Sequence, residues 1–105
     1  MKNMFDIMKQ AQQLQSRMAD MQKELEAAEL EGRSGGGMVT VLMSGKGEVK
    51  KVSIDPSLMK EDEREILEDL IVAACTDAKS KAEAFAAEKM KSVAGGLPIP
   101  PGLGL

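Results

Sequence analysis

The sequence contains no histidine, tryptophan or tyrosine, only two phenylalanines, and a single cysteine, Cys75. Without histidine it lacks the side chain that most often acts as a general base and as a metal ligand. One cysteine makes neither a disulfide framework nor a zinc site, and Cys75 lies in an apolar helical run, where it is typical of a small buried hydrophobe. These absences argue against an enzyme, a metal site and a bound cofactor.

Long apolar runs are missing as well. No stretch approaches the roughly 18 consecutive apolar residues that a membrane span needs, and the amino terminus lacks the order of basic, apolar and small residues found in signal peptides. At 105 residues, the chain is one small domain with a thin core. We therefore expect a soluble cytoplasmic protein with no membrane partner and no small-molecule substrate.

Two further segments invite a ligand-binding interpretation without supporting it. The glycines of "GRSGGGMV" precede a strand, whereas those of a phosphate-binding loop precede a helix, so we interpret them as a flexible link. The carboxylates between Glu61 and Asp69 lack the spacing and the glycine of a calcium loop. They are typical of a solvated helix start, where acidic side chains complement the helix dipole.

The first helix carries the strongest periodic pattern. Its apolar positions follow one another at alternating intervals of three and four residues from Met4 to Ala28, the pattern of a helix that packs on another helix. We predict this helix over about residues 4–25. Its candidate dimerisation and packing seam is Ile7, Leu14, Met18, Met21 and Leu25. Because methionine adapts to irregular surfaces, the seam is alternatively a groove for a protein partner.

Three strands follow, at about residues 28–34, 38–44 and 48–55. The last two are rich in β-branched residues and are joined by a short turn, Gly45-Lys46-Gly47, which predicts a hairpin. Regular alternation along the last strand would place Lys50, Val52 and Ile54 on one face and Val49, Lys51 and Ser53 on the other.

A second long helix is predicted over about residues 61–93. The pair Asp55-Pro56 and the acidic run Glu61-Asp62-Glu63 are both plausible helix starts. After it, residues 95–105 are rich in glycine and proline and predict a flexible tail. The predicted unit is therefore a single α+β domain, residues 1–94, in which a small antiparallel sheet is flanked by two long helices.

The predicted helices are too long for this small sheet to cover. At 1.5 Å per residue they span roughly 33 and 45 Å, whereas a compact chain of this size has a radius of gyration near 13 Å. The seam of the first helix favours burial against another helix. A symmetric homodimer with protruding helices is the simplest arrangement.

Charge is distributed unevenly along the chain. The formal net charge is −3, but residues 56–70 contain six carboxylates and two cations, so most of the acidity is one patch. Lysines concentrate in the hairpin turn, the third strand and the helix ends. At a Debye length near 8 Å only such local clusters attract a phosphate backbone. They are alternatively a solvated scatter of surface lysines, but a dimer would double their number at one ligand.

Several strings resemble one known family. "GKGEVKKVSIDPSLM", "LEDLIVAACTDA" and "AEKMKSVAGGLPIPPGL", after a first helix rich in methionine and glutamine, are similar to the YbaB/EbfC family of bacterial nucleoid-associated proteins. The resemblance covers nearly the whole chain. It implies an α-β-β-β-α protomer, a homodimer whose helices project like tweezers, and binding of double-stranded DNA with bending or compaction in the cytoplasm, on the nucleoid.

Residue roles rest on the matching strings and on lysine positions. The predicted DNA-binding residues are Lys46, Lys50 and Lys51, followed by Lys2, Lys9, Lys89 and Lys91. With few aromatic side chains for stacking on bases, duplex DNA is favoured over single strands. Effects on gene expression and nucleoid organisation would follow. The alternative function is a protein-interaction module that uses the methionine seam or the acidic patch.

Overall fold

The structure, a computed structural model, describes residues 4–94. Its elements are helix α1 (Met4–Ala27), strands β1 (Leu30–Ser34), β2 (Val39–Met43) and β3 (Val49–Ile54), and helix α2 (Arg64–Ala94), with 3-10 turns at Gly35–Gly37, Pro56–Leu58 and Glu61–Glu63. This order and the antiparallel sheet confirm the α+β fold class. The predicted tail, 95–105, and Lys2 lie outside the described residues.

The three strands form one antiparallel sheet in the order β1-β2-β3. In β3 the register shifts by one residue, so that Lys51 pairs with Leu42 but Val49 pairs with Met43. This bulge makes the expected regular alternation wrong. Since directly opposed residues share a face, Val49 lies on the same side as Val52, which pairs with Val41.

The core lies between α2 and one face of the sheet. Val39 and Val41 of β2 are fully buried there, beneath the small residues Ala74 and Ala78 of α2. Gly32 of β1 makes this close approach possible: a Cβ atom at this position would collide with the Ala74 carbonyl oxygen and the Ala78 backbone nitrogen. A small-residue stripe on α2 therefore allows the helix backbone to rest almost directly on the strand.

Helix α2 also covers the outer edge of β1. The Asp77 carboxylate accepts a hydrogen bond from the Arg33 backbone N–H at 3.0 Å, and the Lys81 ammonium donates to the Glu31 carbonyl oxygen at 2.7 Å. Side chains thus occupy two backbone groups that an edge strand would otherwise present to another chain. Ser34 adds a hydrogen bond at 2.6 Å from its hydroxyl to the Leu70 carbonyl.

The segment between β3 and α2 begins with a local cap. The Asp55 carboxylate accepts a hydrogen bond from the Ser57 backbone N–H at 2.9 Å, and Pro56 stands at the first position of a 3-10 turn. The pKa of Asp55 is lowered by this bond. Asp55-Pro56 therefore starts this turn rather than the long helix, which begins at Arg64 after a second, acidic turn.

The two helices run antiparallel and overlap only in part. Leu25 of α1 lies near Ala82 of α2, and Arg17 lies near Val93. The amino-terminal part of α1 projects beyond this overlap, and the amino-terminal part of α2 extends the other way over the sheet. The molecule is consequently elongated, with extents of 72 × 26 × 15 Å and a radius of gyration of 19.9 Å. Within residues 4–94, no helix is both long and apolar enough to cross a membrane.

Candidate nucleic-acid interface

The turn between β2 and β3 is built around Ser44. Its buried hydroxyl accepts hydrogen bonds from the backbone N–H groups of Lys46 at 3.1 Å and Glu48 at 3.2 Å. Gly45 donates its N–H to the Leu25 carbonyl at 2.8 Å, which fixes the turn to the end of α1. These bonds hold the backbone of Lys46 in a defined position beside α1.

The side chain of Lys46 is already engaged in an ion pair. Its ammonium lies 2.7 Å from the Glu26 carboxylate, and this hydrogen bond, with the attraction between the charges, lowers the pKa of Glu26. Both groups are accessible to solvent, so the pair is weak and screened by salt. A phosphate could replace Glu26 as the partner of Lys46 at little cost. Lys79 lines the same groove as Lys46.

Lys50 and Lys51 lie on β3 and are exposed. Among the described residues, neither has an ion pair. Because of the bulge, their side chains do not follow the regular alternation between the two faces of the sheet. Lys51 pairs with Leu42, while Lys50 is the additional residue of the strand. Both ammonium groups are therefore available to a ligand at this edge of the sheet.

A second cationic group lies where the two helices overlap. Arg17 of α1 and Lys89 of α2 line one groove together with the carboxylates of Asp20 and Glu24. Lys89 pairs with Glu24 at 3.1 Å and stands over the Phe85 ring, 5.4 Å from its centroid. Lys91 follows in the last turn of α2, and Lys9 lies further along the projecting part of α1. These cations are separate from Lys50 and Lys51, and Asp20 and Glu24 partly balance them within the groove.

The acidic patch lies at the opposite end of α2 from Lys89 and Lys91. Glu61, Asp62, Glu65 and Glu68 line a shallow groove there together with exposed Ile66. About 25 residues of helix, roughly 37 Å, separate this groove from Lys89. That distance exceeds several Debye lengths, so the acidic end does not cancel the attraction of the cationic end for an anion.

The seam residues of α1 differ in their environment. Met21 and Leu25 are buried in the overlap with α2, and Met18 is half-buried. Ile7 and Leu14 remain exposed because they lie at or beyond the end of that overlap. A single protomer therefore uses only the carboxyl-terminal half of the seam.

Arg17 and Lys79 are candidates that the sequence-based site omitted. Arg17 reaches the cationic group only because α2 returns antiparallel to α1, and Lys79 reaches Lys46 only through the packing of the turn on the helices. The sequence signals them only indirectly. In an antiparallel pair of helices, a residue further along one helix lies beside a residue correspondingly earlier in the other, so neighbours follow only once the pairing is known. Within residues 4–94, no cluster of three or more potential metal-ligating side chains occurs.

Comparison with known proteins places this arrangement in a family. The sequence profile of the YbaB/EbfC DNA-binding family matches residues 1–97. A nucleoid-associated protein of Nitrobacter hamburgensis is 61% identical over 105 residues, covering 100% of this chain and 99% of the relative. One of Agrobacterium fabrum is 55% identical over 105 residues, covering 100% and 98%.

The fold has also been solved in a distant protein. The crystal structure of an uncharacterized Helicobacter pylori protein superposes with a TM-score of 0.71 at 22% identity, covering 91% of this chain and 97% of that one. That likeness concerns the fold. The match to the family profile and the identity to the relatives establish more: the chain belongs to the YbaB/EbfC DNA-binding family, a family of DNA-binding proteins rather than enzymes.

Proposed function

We propose that this protein is a homodimer that associates with the nucleoid in the cytoplasm, binds double-stranded DNA through lysine–phosphate contacts and alters its conformation. Effects on nucleoid organisation and gene expression follow from that activity. Its relatives are named nucleoid-associated proteins. The observation that carries the proposal is the separation of the charges along α2: Lys89 and Lys91 lie at the opposite end of this helix from the acidic patch.

The dimer forms through strand β3. The outer edge of β1 is blocked by Asp77 and Lys81, whereas no side chain among residues 4–94 bonds to the outer edge of β3. The Asp55 N–H, directly after β3, donates to the Met38 carbonyl, directly before β2, so by alternation the backbone groups of Ile54 and Val52 point outward. Val52 is also 43% exposed although it lies on the core face.

Pairing of two β3 edges accounts for these features together. Two antiparallel β3 strands would join two three-stranded sheets into one of six strands, and would cover Val52 and Ile54 with the second copy. An exposed strand with free backbone groups and apolar side chains is otherwise a site of aggregation. The same pairing brings Lys50 and Lys51 of both copies to the centre of the dimer, so that four ammonium groups face one ligand.

Replacement of Val52 tests the dimer. Val52→Pro removes an outward N–H, which costs the protomer no sheet hydrogen bond but prevents pairing with a second edge. We expect sedimentation equilibrium to give twice 11.3 kDa for the wild type and a single 11.3 kDa chain for the variant. The control is Val72→Glu, which changes another exposed valine. Proline is not used there, because Val72 lies in α2 and proline would break that helix. A dimeric Val52→Pro variant would exclude this interface.

The salt dependence of binding tests the phosphate contacts. The logarithm of duplex affinity should fall linearly with the logarithm of salt, by about 0.9 per phosphate contacted. Lys50→Ala with Lys51→Ala removes up to four contacts from a dimer, so its slope should be shallower by up to about 4. Lys60→Ala with Arg64→Ala is the matched control, since it removes the same charge from the acidic end. An equal slope in the wild type and the Lys50/Lys51 variant would refute the assigned contacts.

One observation favours a second candidate function. Exposed Ile66 lines the acidic groove, a combination that suits a basic, partly apolar protein segment. In that case a protein partner would bind at the start of α2, and its affinity would fall in Glu61→Gln with Glu65→Gln. DNA binding would be unaffected by that variant or slightly tighter.

A further inference from the structure

The projecting end of α1 carries apolar side chains that no other residue between positions 4 and 94 covers. Phe5 is 84% exposed, Met4 78% and Met8 60%. Phe5 and Met8, with Lys9 and Gln12, line a shallow groove of about 340 Å³. Phe5 is one of only two aromatic residues in the chain. We call Phe5, Met8, Lys9 and Gln12 the apolar tip.

The apolar tip is distinct from the helix-packing seam. The seam positions Ile7 and Leu14 follow the alternating three- and four-residue intervals, but Phe5 and Met8 fall outside that row. A second helix seated on the seam would cover Ile7 and Leu14 and leave the Phe5 ring at its margin. Packing of another helix along the seam therefore does not account for the exposure of Phe5.

Charge around the tip matches a polyanion. Between residues 4 and 19 the only acidic residue is Asp6, whereas Lys9 and Arg17 are cations, and four glutamines supply further donors. The acidic patch lies at the other end of the molecule. From Phe5 to Arg17, where α2 ends its overlap, the helix advances roughly 18 Å, more than the 7.5 Å depth of the minor groove of DNA.

We propose that the apolar tip is a wedge: the Phe5 ring, supported by Met8, inserts between adjacent base pairs while Lys9 contacts the flanking phosphate. Architectural DNA-binding proteins bend duplexes by such insertion of phenylalanine, methionine or leucine. The phosphate contacts hold the duplex, and the wedge bends it. This inference rests on the proposed function, because it assigns the change in DNA conformation to one side chain.

Bending and binding can be measured separately. A duplex of about 30 base pairs carries a donor dye at one end and an acceptor at the other, and energy transfer is read at saturating protein. The wild type should raise the transfer efficiency, while Phe5→Ala should leave it at the value of the free duplex. The salt slope of Phe5→Ala should equal that of the wild type, because phenylalanine neutralises no phosphate.

Two further variants separate a wedge from other roles. Phe5→Leu should retain most of the bend, since leucine also serves as a wedge. Met59→Ala, an exposed methionine distant from the tip, should bend DNA as the wild type does. Sedimentation of Phe5→Ala should match the wild type. If Phe5→Ala sediments as a monomer, a second copy rather than DNA covers the tip, and the wedge is excluded.

The failures are distinguishable. A Phe5→Ala variant that bends DNA like the wild type overturns the wedge and leaves the phosphate contacts standing. A wild type that binds the duplex without any rise in energy transfer overturns the wedge together with the proposed change in DNA conformation, and leaves the phosphate contacts standing. A wild type that does not bind the duplex even in dilute buffer overturns the proposed function, and the wedge with it.

Discussion

Substitution of Gly32 tests the close packing of α2 on the sheet. Gly32 is buried in the middle of β1, and its backbone φ is not positive, so alanine is conformationally acceptable there. The added Cβ would nevertheless collide with the Ala74 carbonyl oxygen and the Ala78 backbone nitrogen, and would lie 2.6 Å from the Ala78 Cβ. Two of these three partners are backbone atoms, which cannot rotate away. Helix and strand must move apart.

The cost follows from overpacking. Extra methylene groups in a well-packed core cost about 1–3 kcal/mol, and the rigid backbone partners here place Gly32→Ala at about 3 kcal/mol or more. A domain of this size has a free energy of unfolding of about 5–15 kcal/mol. With a urea dependence of about 2 kcal/mol per M, the unfolding midpoint should fall by roughly 1.5 M.

Urea unfolding followed by circular dichroism measures this midpoint at one fixed protein concentration, because the stability of the proposed dimer would depend on concentration. Gly36→Ala is the control, because an added Cβ at Gly36 would have no neighbouring atom within 4 Å. Its backbone φ of +66 strains an alanine, and this strain costs about 1–2 kcal/mol. Adding Ala78→Gly to Gly32→Ala should not restore stability, since both backbone contacts remain. A Gly32→Ala midpoint within about 0.3 M of the wild type would refute the close packing.

Three other predictions concern α1 and α2. Met21→Ala should lower the free energy of unfolding by about 2–5 kcal/mol because Met21 is buried. Met59→Ala, at a residue 66% exposed, should change the urea midpoint by less than the equivalent of about 0.5 kcal/mol, and equal effects of the two variants would contradict the packing of α1 on α2. The pKa of Asp77 is lowered from 3.8, chiefly by the backbone hydrogen bond from β1 and then by a lysine on α2. As pH falls, the unfolded chain therefore binds a proton before the folded chain does, so wild-type stability should decrease from about pH 4 downward. Urea midpoints measured against pH should show a weaker decrease for Asp77→Asn. An identical pH profile would be evidence against that bond. Glu26→Gln should tighten duplex binding in a fluorescence anisotropy titration, because it releases Lys46 from its ion pair. The gain in affinity should exceed that of Glu29→Gln, which removes the same charge. Equal gains would mean that only the net charge affects binding.

The sequence predicts the elements better than their contacts. The alternating intervals from Met4 onward identify a helix that packs on another helix, but they do not show where the overlap ends. The structure buries Met21 and leaves Ile7 exposed, although both occupy the same row. The difference arises because α2 returns antiparallel and overlaps only the second half of α1, a tertiary fact that local periodicity does not contain.

The candidate site shows the same limit. A bulge at Lys50 adds one residue to β3, and since the side-chain period of a strand is two, a single added residue changes every face assignment before it. Lys46 and Lys89 are paired with Glu26 and Glu24, about 20 and 65 residues away along the chain. Ion pairs between distant residues cannot be inferred from lysine positions alone.

We propose that two copies combine their lysines at one ligand, so that a chain of net charge −3 binds a polyanion. The most direct test compares wild type and monomeric Val52→Pro on one short duplex across a series of salt concentrations. The monomer should bind more weakly and with about half the salt slope, since it contacts about half as many phosphates. A monomeric variant with the affinity and the slope of the wild type would contradict it.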